Sequence, residues 1–217
     1  NTIAGNKAVA STAYGAALDY LSIAVNLLPE KSWSTNYQET LKLFSLKARA
    51  ESLSTNYEKA ESTFEAIVTN AQSILDKISA YELKSYLYSS QLRLRDSITL
   101  ASDALKLLNV SLPKNPKEYS VIPELLKTKI IIGKKTARDF YDLPLMTDEK
   151  DASVMRLLSA CIPPSYLSMP LLFPVLVMKM VNLSLRKGIS PLSPFAFIIY
   201  GMILGSVLGD FKNGARW

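Results

Sequence analysis

The chain has 217 residues, and 48% of them are hydrophobic, which supplies a real core and excludes wholesale disorder. It holds no histidine and one cysteine, Cys161. That removes the commonest general base, histidine metal ligation, an intramolecular disulfide and any multi-cysteine zinc site. The formal charge of +6 is uneven: residues 1–110 carry 11 basic and 11 acidic side chains, residues 111–151 carry 8 and 7, and residues 152–217 carry 6 and 1. The surplus therefore sits in the most apolar third and forms no dense basic stripe, which argues against a nucleic-acid partner. A lone cysteine suits a reducing, cytoplasmic setting. Asn1–Ala10 lacks the charged start and apolar run of a secretory signal.

Taken in chain order, Ala17, Leu21, Ala24 and Leu28 share one face and predict a helix from about Thr12 to Leu28, ended by Pro29. Asn36–Leu53 repeats the pattern with Tyr37, Leu41, Phe44 and Ala48. The next stripe, Tyr57, Ala60, Phe64, Ile67, Ala71, Ile74 and Ile78, predicts one helix of five turns. The short polar connection between these two favours antiparallel neighbours. A pair is expected at about Ala80–Leu92 and Arg95–Leu108. Asn109–Tyr119, with Pro113 and Pro116, reads as a loop.

A helix then spans about Pro123–Lys134, with Pro123 suited to a first helical position. Asp142–Leu143–Pro144 breaks the chain. Glu149–Ile162 follows, with Asp148, Glu149 and Asp151 favouring the positive end of its dipole and Pro163–Pro164 expected to end it. Two very apolar segments remain, Met169–Leu185, interrupted by Lys179, and the uncharged Ser193–Leu208, with Gly209 placed for a left-handed helix end. No run alternates with period two for long enough to suggest a sheet, so the fold class is all-α.

A phrase recurs along this series: a large residue, a small one three residues later, then further apolar positions. Its copies are Tyr14–Ala17–Leu21–Ala24, Tyr57–Ala60–Phe64–Ile67 and the weaker Leu94–Ser97–Ala101–Ala104, offset by 43 and then 37 residues; Phe211–Gly214 opens a fourth. The small residue lets two helices approach closely. A unit of this kind cannot bury its stripe alone and must stack on its neighbours. The expected architecture is about nine to eleven helices in antiparallel pairs, stacked as a superhelix. The expected organisation is repeats over residues 1–110, an irregular linker with a short helix pair over 111–147, and apolar helical repeats over 148–217 with an unfinished last unit.

No convergent acid, base and nucleophile can be assembled without histidine, and Cys161 on an apolar helix reads as a packed thiol. Gly133–Lys134–Lys135–Thr136 is no phosphate loop, because Thr128 and Lys135 stand where that motif needs Gly and Ser or Thr. Lys127, Lys129, Lys134, Lys135 and Arg138 form a local basic cluster, with 127, 134 and 138 on one helical face. It fits an anionic partner, such as an acidic protein surface or phosphate groups, and it also fits a solvated face. The last two apolar segments fit helices buried on nearly all sides; the rival reading is a membrane hairpin over 169–208.

Several separated phrases carry a family resemblance. They are Ile3–Ala4–Gly5–Asn6–Lys7–Ala8 with Ser11–Thr12–Ala13–Tyr14 and Ala16–Ala17–Leu18–Asp19–Tyr20–Leu21, then Asp142–Leu143–Pro144 with Met146–Thr147–Asp148, Lys179–Met180–Val181–Asn182–Leu183–Ser184–Leu185, Tyr200–Gly201 and Leu208–Gly209–Asp210. Together they resemble the tetratricopeptide-like helical region of large bacterial hybrid signalling proteins. In that family a serine/threonine kinase-like domain and an AAA/STAND-type ATPase precede the helical region, and a GAF sensor and a histidine kinase often follow. None of the family's catalytic motifs maps onto this chain. The resemblance thus implies a non-catalytic segment with no cofactor of its own, ATP belonging to the parent protein. Its partner would be another protein or neighbouring domains of the same chain. Repeat offsets of 43 and 37 depart from the usual tetratricopeptide spacing.

Overall fold

The computed structural model describes residues 1–133, 142–206 and 209–214. They are all-α: no strand forms among them, and the one β-bridge, between Leu145 and Ile189, is isolated. The chain divides into two compact units, Asn1–Leu87 and Tyr88–Trp217.

The first unit holds α1 (Thr2–Ala10), α2 (Tyr14–Asn26), the short α3 (Ser32–Thr35), α4 (Tyr37–Leu53), α5 (Tyr57–Asn70) and most of α6 (Ile74–Ser90). Two apolar clusters hold it together. Val9, Ala17, Leu21, Ala24, Leu43 and Ala50 join α1, α2 and α4. Ala48, Ala60, Phe64, Ile67, Ala80 and Leu87 join α4, α5 and α6. Ala17, Leu21 and Ala24 in α2 and Ala60, Phe64 and Ile67 in α5 are thus core residues, as their spacing implies, while Tyr14 and Tyr57, which open the phrase, are half-buried.

The repeat is also a repeat of backbone geometry. After α1, the N–H of Ser11 donates to the Lys7 carbonyl and that of Ala13 to the Ala8 carbonyl, with Thr12 between them at φ +60°. After α4, Ser54 and Asn56 donate to Ala50 and Glu51 around Thr55 at φ +59°. After α6, Arg93 donates to Tyr88 beside Leu92 at φ +59°. Each is a left-handed helix end that satisfies the last carbonyls and turns the chain sharply. Each left-handed residue stands two positions before Tyr14, Tyr57 or Leu94, so the offsets of 43 and 37 residues separate three copies of one turn. Gly209, at φ +68°, stands in the same relation to Phe211.

A second small position was not read from the sequence. Gly5 and Ala48 precede Ala17 and Ala60 by 12 residues, on the other helix of each pair. A Cβ on Gly5 would lie 2.6 Å from Leu21 Cγ, so α1 and α2 touch backbone to side chain there. Ser85, fully buried, has the same sequence relation to the buried Ser97.

Three expectations are corrected. Helix α1 was missed, because its nine residues bury only Gly5 and Val9. The stripe from Tyr57 to Ile78 is two helices: Ala71 is extended (φ −60°, ψ 125°), and α6 starts at Ile74. Tyr37 pins that break, since its hydroxyl accepts from the Gln72 N–H (2.9 Å) and donates to Asp76 (2.7 Å). The apolar positions keep phase across the break, so periodicity does not reveal it. Pro163 and Pro164 begin a helix instead of only ending one, because a proline's missing N–H costs nothing in a first turn.

The second unit holds α7 (Leu94–Leu107), α8 (Ile122–Ile132), α9 (Glu149–Ala160), α10 (Ile162–Ser168), α11 (Phe173–Lys187), α12 (Ser193–Ser206) and the short α13 (Phe211–Gly214). Helix α11 is its centre, packed by α8, α9, α10 and α12, with Leu176, Val177, Met178, Met180 and Val181 fully buried. Asp148 caps α9 through the Lys150 N–H (2.8 Å). The Pro144–Met146 segment is stitched to the α11–α12 turn: Ile189 donates to the Pro144 carbonyl (2.8 Å) and Met146 to that of Ile189 (2.9 Å). Gly188, at φ +106°, permits this approach, since a Cβ there would lie 2.5 Å from the Pro144 oxygen.

The hairpin reading of 169–208 fails on this geometry. Helices α11 and α12 have 15 and 14 residues. At about 1.5 Å per residue they fall short of a hydrocarbon core about 30 Å thick. Among the described residues no helix is long and apolar enough to cross a membrane.

Candidate functional site

Helices α8, α9 and α11 and the Asn109–Val110 turn enclose an open groove of about 340 Å³ in the second unit. Helix α11 supplies Lys179, Asn182 and Arg186, spaced so that they share one face. Lys187 follows Arg186, and α8 supplies Glu124 and Lys127. Val110, Val154, Leu158 and Leu183 form apolar walls.

Glu124 organises the floor. It is buried, and its Oε1 accepts from Lys179 Nζ (2.9 Å) and Lys127 Nζ (3.0 Å). Asn182 Nδ2 donates to both Glu124 Oε2 and the Glu124 backbone carbonyl, each at 3.1 Å. Burial pushes the Glu124 carboxyl upward, but the hydrogen bonds and charges of Lys179 and Lys127 outweigh it and hold the carboxyl below its ordinary value.

Two groups are left over. Asn182 Oδ1 is buried and has no hydrogen-bond partner. Rotating the amide would aim its oxygen at Glu124's acceptors, so those acceptors fix the NH₂ toward Glu124 and leave Oδ1 unpaired. Arg186 is exposed and makes no hydrogen bond or ion pair with the described residues. Lys187 has a contact of 3.4 Å with Asp151. Four cations therefore meet two carboxylates, Glu124 and Asp151, and the groove is net positive.

Of the predicted basic cluster, Lys127 lies in this groove. Lys129, also on α8, is exposed and does not line it. Lys134, Lys135 and Arg138 lie outside the described residues. The structure brings Lys127 together with Lys179, Asn182, Arg186 and Lys187, none of which the local cluster indicated. The available signal was the spacing of Lys179, Asn182 and Arg186, a polar stripe on an otherwise apolar helix. Cys161 is fully buried, and burial pushes its thiol up to about 12, as a packed thiol requires. No group of three or more metal-ligating side chains forms among the described residues.

The chain is similar to hybrid signal transduction histidine kinase G of Dictyostelium discoideum, with 26% identity over 239 aligned positions that cover 97% of this chain. It spans 7% of that relative's length. The match relates the chain to a signalling protein. The relative's organism is not a bacterium, so the match lends nothing to the bacterial setting of the resemblance. No protein-family profile matches the chain, and no solved structure matches it.

Proposed function

We propose that this chain is a non-catalytic, tetratricopeptide-like segment of a multidomain signalling protein, serving as an interaction scaffold or coupler between domains. The observation that carries the reading is the thrice-repeated turn, with a left-handed residue two positions before the large residue and a buried small residue five positions after the turn. Arrays of such pairs present surfaces and need no active site. Exposed apolar side chains fit the same role: Phe195, Ile198 and Met202 line one side of α12, and Ile122, Leu126 and Ile130 one side of α8. The similarity to a histidine kinase supports a signalling context for the chain. By the resemblance, the parent protein would be an ATP-dependent serine/threonine and histidine kinase with an AAA/STAND-type ATPase, acting in the cytoplasm. The segment itself takes no cofactor, and its partners are proteins or neighbouring domains, not nucleic acid or membrane. The test is to remove residues 1–217 from the longer signalling protein and measure kinase output with and without stimulus. Loss of regulation supports the reading; unchanged, fully regulated output overturns it.

A further inference from the structure

We propose that the groove between α8, α9 and α11 binds an extended acidic peptide segment of a protein partner; this rests on the scaffold reading and gives it a site. The groove's surplus of cations attracts carboxylates, and Arg186 presents a planar donor fork with no partner among the described residues. Lys127 and Lys179 share a single Glu124 oxygen, so each ammonium keeps donors for a ligand.

The apolar walls select among anions, since a bare phosphate group would leave them uncovered. The apolar walls at Val110, Val154, Leu158 and Leu183 match the aliphatic residues of such a segment. A cavity of about 340 Å³ admits a short length of chain, not a folded surface. The second groove of similar size, beside α7, has a smaller surplus, because its lining sets Lys106 and Lys114 against Asp103, which pairs with Lys106 (2.6 Å).

The test uses the 217-residue chain and a short fluorescein-labelled peptide of alternating glutamate and leucine, read by fluorescence anisotropy. Binding should weaken as salt rises and be at least about tenfold weaker in Arg186→Glu, which reverses the unpaired cation. Lys129→Glu, outside the groove, should bind as the wild type does. Three outcomes overturn the inference: equal binding of a glutamine–leucine peptide, equal effects of Arg186→Glu and Lys129→Glu, or displacement of the peptide by inorganic phosphate at matched concentration. Circular dichroism and urea midpoints of Arg186→Glu matching the wild type exclude misfolding as the cause. If the peptide ignores Arg186 while removal of residues 1–217 still abolishes regulation in the longer protein, the groove assignment falls and the scaffold reading stands.

Discussion

Glu51 in the first unit and Glu124 in the second are both buried carboxylates held by lysine, yet their surroundings differ. Glu51 is bound by Lys47 through one oxygen and by the Thr63 hydroxyl through the other (2.7 Å), and Lys47 also reaches Thr63 (3.3 Å). That network closes on itself. Glu124 gathers Lys127, Lys179 and Asn182, but among the described residues the far end of Asn182 has no partner and neither has Arg186. The charge balance follows the same division: residues 1–87 carry 8 basic and 9 acidic side chains, and residues 88–217 carry 17 and 10. A closed buried network serves the fold. One that stands beside an exposed cation offers something to a ligand.

The sharpest way to probe the first region is through its packing. Phe64→Ala removes a side chain only 1% exposed, in the cluster that joins α4, α5 and α6, and should destabilise the first unit by about 3–5 kcal/mol in urea titration. In the second region, Glu124→Gln leaves Lys179 without its carboxylate and should cost about 1.5–3 kcal/mol. The pH dependence has a definite sign. The Glu124 carboxyl is held below its ordinary value of 4.5 in the folded chain, so its stabilisation is present above that pH and is lost as pH falls through the depressed value. Thermal unfolding at successive acidic pH values should show the second unit weakening, and Glu124→Gln should flatten that dependence.

Smaller effects test the repeat. Gly5→Ala places a methyl 2.6 Å from the buried Leu21 Cγ and should cost about 1–3 kcal/mol, measured by urea midpoint. Thr55→Gly should do the reverse. A β-branched residue at φ +59° is strained, and glycine there should gain about 0.5–1 kcal/mol in the same assay.

Much of the helical order could be read in advance because the small-residue phrase in α2, α5 and α7 marks positions with no room for a larger side chain: Ala17, Ala60, Ser97 and Ala101 are all fully buried. The matching positions Gly5 and Ala48 escaped, since a small residue has a visible role only once its partner helix is known. The break at Ala71 escaped because it depends on Tyr37, more than thirty positions away in sequence. The groove escaped for a related reason. A search for local runs of charge finds Lys127 and Lys129, which point to different faces of α8, whereas the groove joins Lys127 to Lys179 across 52 residues of sequence. Charge in a single window reports composition; a site built from three helices needs the packing.

The most direct test of the contrast between the two units is an NMR titration of isotope-labelled chain with the glutamate–leucine peptide. The account predicts shift changes centred on the Asn182 side-chain amide, the Arg186 guanidinium and the Val154–Leu158 wall, with the Glu51 and Thr63 signals unmoved. Changes concentrated in residues 1–87, or an unperturbed Asn182 amide at saturating peptide, would contradict it.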